Sequence, residues 1–275
     1  MKPAPFDYAR PDTLNEALEL LREHGDDARV LAGGQSLLPM LNMRLSRPKI
    51  LIDVMHVPEL ATVREEKGVL VVPAGVRQAK LLAQVTADDR FPLLAKAMPW
   101  IGHAQTRARG TVCGSIAHAD PSAELPLCLM ALGGKVRLRA ARKKREVAAA
   151  EFFSGMMSTA KLENEMIEAV VFPVAQPGEG FAFTEFGRRH GDFAIVSCAA
   201  KVTKETIELT IGGVADVPTQ RRWGRLAPDA LSDALNELAW SLEARDDLHA
   251  DARLRRDLVR ALGLRTIDEA AACCR

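Results

Sequence analysis

Two runs of small residues, far apart along the chain, constrain its fold more than any other feature. The longer, Arg109 to Pro126, reads Arg-Gly-Thr-Val-Cys-Gly-Ser-Ile-Ala-His-Ala-Asp-Pro-Ser-Ala-Glu-Leu-Pro. Glycines and hydroxyls in its first half let the backbone approach a ligand closely and offer it N–H groups. Pro121, Ser122 and Glu124 in its second half open an apolar, helix-like run. The shorter, Ala32-Gly33-Gly34-Gln35-Ser36, follows the apolar run Arg29 to Leu31 and precedes Leu37-Leu38-Pro39-Met40-Leu41. Strand, glycine turn, hydroxyl and helix is an order that holds phosphate. Two such loops could close on the two phosphates of one dinucleotide, and the rest of the chain then serves to bring them together. Taken singly, each loop is also open to reading as an ordinary turn. Neither carries G-x-G-x-x-G, and no G-x-x-x-x-G-K-[ST] occurs.

A chain of 275 residues with 48 % hydrophobic content has room for one large or two ordinary domains around a real core. Its 37 basic and 36 acidic residues leave a net charge of +1, so the charge balance supports neither nucleic acid nor an anionic membrane as partner. Met1-Lys2-Pro3-Ala4-Pro5-Phe6-Asp7 has no apolar signal core, and no stretch reaches the roughly 20 apolar residues of a membrane span. A cytoplasmic location is the expectation. The five cysteines, Cys113, Cys128, Cys198, Cys273 and Cys274, are odd in number and lack C-x-x-C. That argues against a disulfide framework and against a zinc or iron–sulfur site carried by this chain alone. Cys273 and Cys274 are expected in a loose tail.

In chain order, Thr13-Leu14-Asn15-Glu16 is a capping box that starts a helix at Leu14, with Leu14, Ala17, Leu18 and Leu21 as its buried face and Gly25 as its stop. Lys49 to Val54 reads as a second strand of this small β/α lobe. A second lobe begins near Pro58, with Gly68 to Gly75 as a strand too uniformly apolar to have a wet face. Helices are expected over Gln78 to Val85, Pro92 to Trp100 and Ser122 to Leu132, and irregular backbone over Ile101 to Ser115. Lys135 to Ala140 alternates as a strand, Arg142-Lys143-Lys144-Arg145 reads as a solvated hairpin turn, and Met166 to Phe172 is another strand. Pro173 to Gly180 is the best linker candidate. Beyond it, Phe181 to Arg188, Phe193 to Val202 and Thr206 to Val214 read as a three-stranded antiparallel meander, covered by amphipathic helices over Leu226 to Leu242 and Ala250 to Leu262.

Taken together, Val30 to Pro39 (Val-Leu-Ala-Gly-Gly-Gln-Ser-Leu-Leu-Pro) and Gly102 to Pro121 (Gly-His-Ala-Gln-Thr-Arg-Ala-Arg-Gly-Thr-Val-Cys-Gly-Ser-Ile-Ala-His-Ala-Asp-Pro) resemble the FAD-binding medium subunit of the molybdenum hydroxylases. Carbon monoxide dehydrogenase and xanthine dehydrogenase belong to that family. Phe6-Asp7-Tyr8, Arg188 to Ala194 and Asp247-Leu248-His249 fall in the expected order, so the resemblance covers nearly the whole chain.

The resemblance implies an α+β fold of the vanillyl-alcohol-oxidase (PCMH) type. Residues 1–175 would form a two-lobed FAD-binding domain, with lobes 1–57 and 58–175, and residues 176–275 a C-terminal sheet-and-helix domain. By position, Ala32, Gly33, Gly34, Gln35, Ser36 and Leu37 together with Thr111, Val112, Cys113, Gly114 and Ser115 would wrap the pyrophosphate. Ile101 and His103 would lie along the cofactor, Glu124 would accept hydrogen bonds from it, Ile167 would pack near the adenine, and Asp192 and Phe193 would sit near the isoalloxazine. On the residues alone, NAD or coenzyme A would present the same diphosphate.

The resemblance also implies that molybdenum and iron–sulfur clusters reside only on a large and a small partner subunit, commonly in a dimer of heterotrimers. This chain would relay electrons to a quinone, oxygen or NAD. An exposed apolar patch on the first two lobes is then expected. Three departures stand out. Cys113 occupies a position usually glycine, Thr106 and Ala108 replace the common Ile and Asn, and Phe193 stands where Tyr can occur. The rival readings are a stand-alone flavin oxidoreductase of the same fold and a nucleotide-binding assembly protein.

Overall fold

A computed structural model describes residues 1–274. The first lobe is a parallel three-stranded sheet, β1 (Asp7–Ala9), β2 (Ala28–Leu31) and β3 (Ile50–Asp53) in the order β1-β3-β2. Helix α1 (Leu14–His24) links β1 to β2, and short α2 (Leu37–Asn42) links β2 to β3. The capping box works as read at its first contact, Glu16 N–H donating to Thr13 Oγ1 at 3.2 Å, whereas the Glu16 carboxylate reaches one residue further back and accepts from Asp12 N–H.

The second lobe is an antiparallel sheet in the order β4-β5-β10-β6-β7: β4 (Arg64–Glu66), β5 (Val69–Pro73), β6 (Lys135–Ala140), β7 (Lys143–Ala148) and β10 (Met166–Pro173). Between β7 and β10 lie α8 (Ala149–Phe152) and the hairpin of β8 (Phe153–Gly155) and β9 (Ser158–Thr159). As its composition demands, β5 is covered on both faces. Leu70 and Val72 enter the main core, and Val71 packs with Ala169 and Val171 on the other side. The basic run divides: Arg142 lies in the hairpin turn, Lys143 and Lys144 line the exposed edge strand, and Arg145 Nε pairs with Glu165 Oε1 at 2.7 Å. Charge on an edge strand keeps it from pairing with another chain.

Five helices connect β5 to β6: α3 (Gln78–Thr86), α4 (Pro92–Ala97), α5 (Ala104–Arg109), α6 (Val112–His118) and α7 (Glu124–Ala131). Two of them, α5 and α6, occupy the stretch expected to be irregular. Gly102 and Gly110 bound α5 rather than break it, and Thr111 caps α6 by accepting from Gly114 N–H at 3.1 Å.

The C-terminal sheet has four strands, not three: β11 (Gly180–Phe186), β12 (Val196–Val202), β13 (Thr206–Gly212) and β14 (Thr219–Gly224) form a continuous antiparallel meander. The added edge strand, Thr-Gln-Arg-Arg-Trp-Gly, has no apolar alternation to betray it, because both its faces are largely wet. Helices α9 (Pro228–Ser241) and α10 (Ala252–Cys273) cover one face of this sheet. On the other face Phe181, Phe183 and Ala199 join the same core that runs through both preceding lobes. Cys273 ends α10, and Cys274 Sγ donates to Gly178 O at 2.9 Å. The pair is docked on the start of β11 rather than loose.

Candidate functional site

The two glycine loops touch. An added Cβ on Gly33 would stand 2.7 Å from Gly110 Cα and 2.9 Å from the Arg109 carbonyl carbon, with Arg109 O closer still. Only glycine permits that approach. The second loop is in turn sewn to the turn after β5. Gln78 N–H donates to Gly110 O at 2.8 Å, and Val112 N–H to Val76 O at 3.1 Å. The Gln78 side chain is buried beside Gly110 with Oε1 unpartnered among the described residues.

Helix α5 runs from this junction to a second one. At its far end His103 packs against Gly191, where an added Cβ would meet Gly102 O and His103 Cε1, each at 2.8 Å. Gly191 has φ +89°, a conformation suited to glycine. Trp100 stacks on His190 with ring centroids 4.7 Å apart. Arg107 Nη1 donates to Ile101 O at 2.8 Å and Gly102 O at 3.0 Å, which holds the turn before α5. At roughly 1.5 Å per residue the six residues of α5 set the two junctions about 9 Å apart along its axis. Beside the second junction lies a groove of about 460 Å³, lined in part by Ser122, Arg188, Asp192, Phe193 and Arg255.

The first loop is the richer donor. Among the described residues, the backbone N–H groups of Gly33, Gly34, Gln35, Ser36 and Leu37 have no acceptor, and neither does the Ser36 hydroxyl. Gly34, at φ +70°, turns this row of donors before α2. In the second loop the fold uses more of the donors itself. Val112, Gly114 and Ser115 N–H are bonded to Val76 O, Thr111 Oγ1 and Thr111 O, which leaves Thr111 and Cys113 N–H and the Ser115 hydroxyl. Cys113 keeps a negative φ and buries its side chain, Sγ donating to Val72 O at 3.3 Å. Burial pushes this thiol up, so it remains a neutral core group. The side chain at the usual glycine position therefore points away from the loop's open side.

Comparison with known proteins gives this geometry its context. Residues 4–175 match the family model described as the FAD binding domain in molybdopterin dehydrogenase. The chain is 37 % identical to the 6-hydroxypseudooxynicotine dehydrogenase complex subunit alpha of Paenarthrobacter nicotinovorans, over 98 % of this chain and 96 % of that one. It is 32 % identical to the carbon monoxide dehydrogenase medium chain of Hydrogenophaga pseudoflava, over the full length of both. A solved structure of carbon monoxide dehydrogenase from that organism superposes with a TM-score of 0.94 at 31 % identity, covering 100 % of both chains. Quinoline 2-oxidoreductase from Pseudomonas putida 86 superposes with a TM-score of 0.91 at 32 % identity and 99 % coverage of each.

The chain belongs to the family of FAD-binding medium subunits of molybdenum hydroxylases.

The residues of this medium subunit fit the diphosphate of FAD: a row of unpartnered N–H groups and two free hydroxyls suit an anionic, acceptor-rich group. The structure brings Ala32 to Leu37 and Thr111 to Ser115 to one junction, and Ile101, His103, Asp192 and Phe193 to the other. Asp192 is held by Arg189 at 3.1 Å, which keeps its carboxyl below the ordinary range, and Phe193 is 58 % exposed at the mouth of the groove. Glu124 is buried behind this end, within the electrostatic reach of Arg107. Ile167 is a core residue of β10 at a β-bulge, opposite Leu138. Asp120 accepts from Ser122 N–H at 2.8 Å and shapes the turn into α7.

Sequence reading attached no role to Gln78, Arg107, Gly110 or Arg255. Gly110 was legible as punctuation of the stretch Ile101 to Ser115. Of the other three, Arg255 reaches carbonyls far along the chain, Arg107 those of the turn before its own helix, and Gln78 acts through its backbone N–H, and no local sequence pattern marks any of them. Among the described residues no helix is long and apolar enough to cross a membrane, and no cluster of His, Cys, Asp and Glu could hold a metal.

Proposed function

We propose that this chain carries FAD as the electron-transfer subunit of a molybdenum hydroxylase, taking electrons from a small iron–sulfur partner and passing them to an external acceptor. A large subunit would hold the molybdenum cofactor and oxidise the organic substrate. The observation that carries this reading is the contact of Gly33 with Arg109–Gly110, in a chain similar to medium chains over its whole length.

Bound there, FAD supplies the ability to collect electrons singly and release them in pairs. The chain's own work is to bind and orient. The first loop's free N–H groups, with Thr111, Cys113 and Ser115, would hold the diphosphate; the Ile101–His103 and Gly191–Phe193 segments would flank the ring. Residues 1–175 would be the FAD-binding domain, in lobes 1–57 and 58–175, and residues 176–275 the domain behind it. An exposed apolar set on the first lobe, Tyr8, Leu38, Met43 and Leu45, supports docking of another subunit. A dimer of heterotrimers in the cytoplasm completes the proposal.

Purification with the co-expressed partners tests it. A yellow chain that brings iron and molybdenum with it is the expected result. A yellow chain alone would favour the stand-alone oxidoreductase, and a colourless one the assembly protein. Gly34→Val and Ser115→Val should each strip FAD without unfolding the lobes, and full retention in both refutes the loop assignment.

A further inference from the structure

Helices α3 and α6 begin at one point in the fold. Arg77 is the N-cap of α3 and Thr111 the N-cap of α6, and these two residues form an isolated antiparallel bridge. The bonds from Gln78 N–H to Gly110 O and from Val112 N–H to Val76 O flank the pair on either side. In a pair of that type the Cα atoms lie roughly 4.5 Å apart and the two side chains stand together on one face. Thr111 marks which face it is. Its hydroxyl accepts from Gly114 N–H at 3.1 Å, over the first turn of α6, where the Cys113 N–H and the Ser115 hydroxyl are free among the described residues. Gln78, the next residue after Arg77, instead buries its amide against the side of Gly110 where a Cβ would stand.

Arg77 breaks a local rule at this point. An N-cap is favoured as Ser, Thr, Asp or Asn, whose side-chain oxygen satisfies a free N–H, and the positive end of a helix disfavours a cation. Arg77 caps nothing in α3, is exposed, and forms neither an ion pair nor a side-chain hydrogen bond among the described residues. The neighbouring cations have ordinary explanations. Arg107 and Arg109 lie in the last turn of α5, the end that favours positive charge, and Lys80 Nζ donates to Ala61 O at 3.0 Å. A residue that opposes its local preference with no compensating contact in the fold points to a ligand that supplies one. The ligand here must be an anion. The loop that Arg77 faces through Thr111 also carries Arg109–Gly110, on which Gly33 rests, so the first loop's row of free N–H groups closes on the same junction.

We propose that Arg77 is a binding residue of the FAD site, its guanidinium pairing with the diphosphate that the two loops hold. The assignment rests on the FAD reading of those loops. Their free N–H groups and hydroxyls are neutral donors, and Arg77 adds a formal charge to them. A guanidinium suits this place because its planar fork can serve two phosphate oxygens at once, whereas an ammonium acts as a point charge.

The test uses the full chain as apoprotein, its Arg77→Gln and Arg77→Lys variants, and Arg142→Gln on the β6–β7 turn as a control that removes one exposed charge elsewhere. FAD is titrated by flavin fluorescence from about 0.01 to about 1 M ionic strength. At low salt Arg77→Gln should raise Kd roughly 10- to 100-fold, the worth of one hydrogen bond to a charged group, and its Kd should rise less steeply with salt than that of the wild type. Arg77→Lys should keep the wild-type salt slope but recover only part of the affinity. Arg142→Gln should match the wild type in both. Thermal unfolding of the apoprotein separates binding from scaffolding: because the cation opposes the dipole of α3, apo Arg77→Gln should melt no lower than wild type. A wild-type salt slope retained in Arg77→Gln overturns the assignment whatever its affinity, since damage to the scaffold would weaken FAD without removing the charge. Absence of FAD binding by the wild type at low salt removes the diphosphate reading itself, and Arg77's role with it, so the two failures are told apart.

Discussion

Replacing Gly33 by alanine tests the central contact of the molecule. Its φ is not left-handed, so an alanine there suffers no backbone strain, and the whole effect is steric. The new Cβ would stand 2.7 Å from Gly110 Cα, against an ordinary contact of 3.4 Å or more, and the obstructing atoms are backbone. The loops must therefore part by about 0.7 Å, and Arg109 O demands more. Overpacking of this kind costs about 1–3 kcal/mol of stability. The larger effect falls on FAD. Separation withdraws the free N–H groups from one phosphate, and each hydrogen bond to a charged group is worth about 1.5–3 kcal/mol. At about 1.4 kcal/mol per factor of ten, losing one such bond weakens FAD binding roughly 10- to 100-fold. The assay is flavin fluorescence titration of the apoprotein beside thermal unfolding, with Gly224→Ala as control, since its nearest neighbour lies 4.0 Å away. If Gly33→Ala binds FAD within about twofold of wild type, the loops do not form one diphosphate site.

Four further outcomes are expected. Cys113→Gly should lower the Tm, since a glycine inside a helix costs about 1 kcal/mol and the thiol's cavity adds to it, while flavin stoichiometry stays the same. A thiol reagent should modify native Cys273 and Cys274 but reach Cys113, Cys128 and Cys198 only in denaturant, because burial pushes all three thiols up, Cys198 to about 12. Arg255, 4 % exposed, donates to Arg245 O at 3.1 Å, Ile195 O at 2.6 Å and Gly213 O at 2.7 Å, so Arg255→Met should cost about 3–5 kcal/mol in urea unfolding. The bond from Arg145 holds the Glu165 carboxyl below its usual range. Its stabilisation is present above the unfolded value of about 4.3 and is lost as pH falls through the lower folded value, so Glu165→Gln should flatten the acid limb of a Tm-versus-pH curve.

The elements that read correctly are those with a strong local signal. The capping box at Thr13, the uniformly apolar Val69–Pro73 and the alternation of β6 each follow from interactions within a few residues or from burial on a known face. The stretch Ile101 to Ser115 misled because Gly102 and Gly110 bound α5 rather than break it, and Gly114 sits within α6, its N–H taken by the Thr111 cap. β14 escaped because an edge strand with two wet faces needs no apolar pattern; it pairs through backbone alone. At the site, the loops were legible as small-residue turns, but their roles were not symmetrical. The first keeps its N–H groups free, and the second spends three of them on its own cap and on Val76.

By itself, the chain's order of residues determined that two glycine turns exist, that the cysteines form no framework and that the bulk charge is balanced. Those are matters of local conformation and composition. Only the tertiary structure decided that Gly33 lies on Arg109–Gly110, that Cys113 turns inward and that Gly191 seats against His103. Such contacts join segments that many intervening residues separate, and packing of the shared core, which no local pattern encodes, sets their distances.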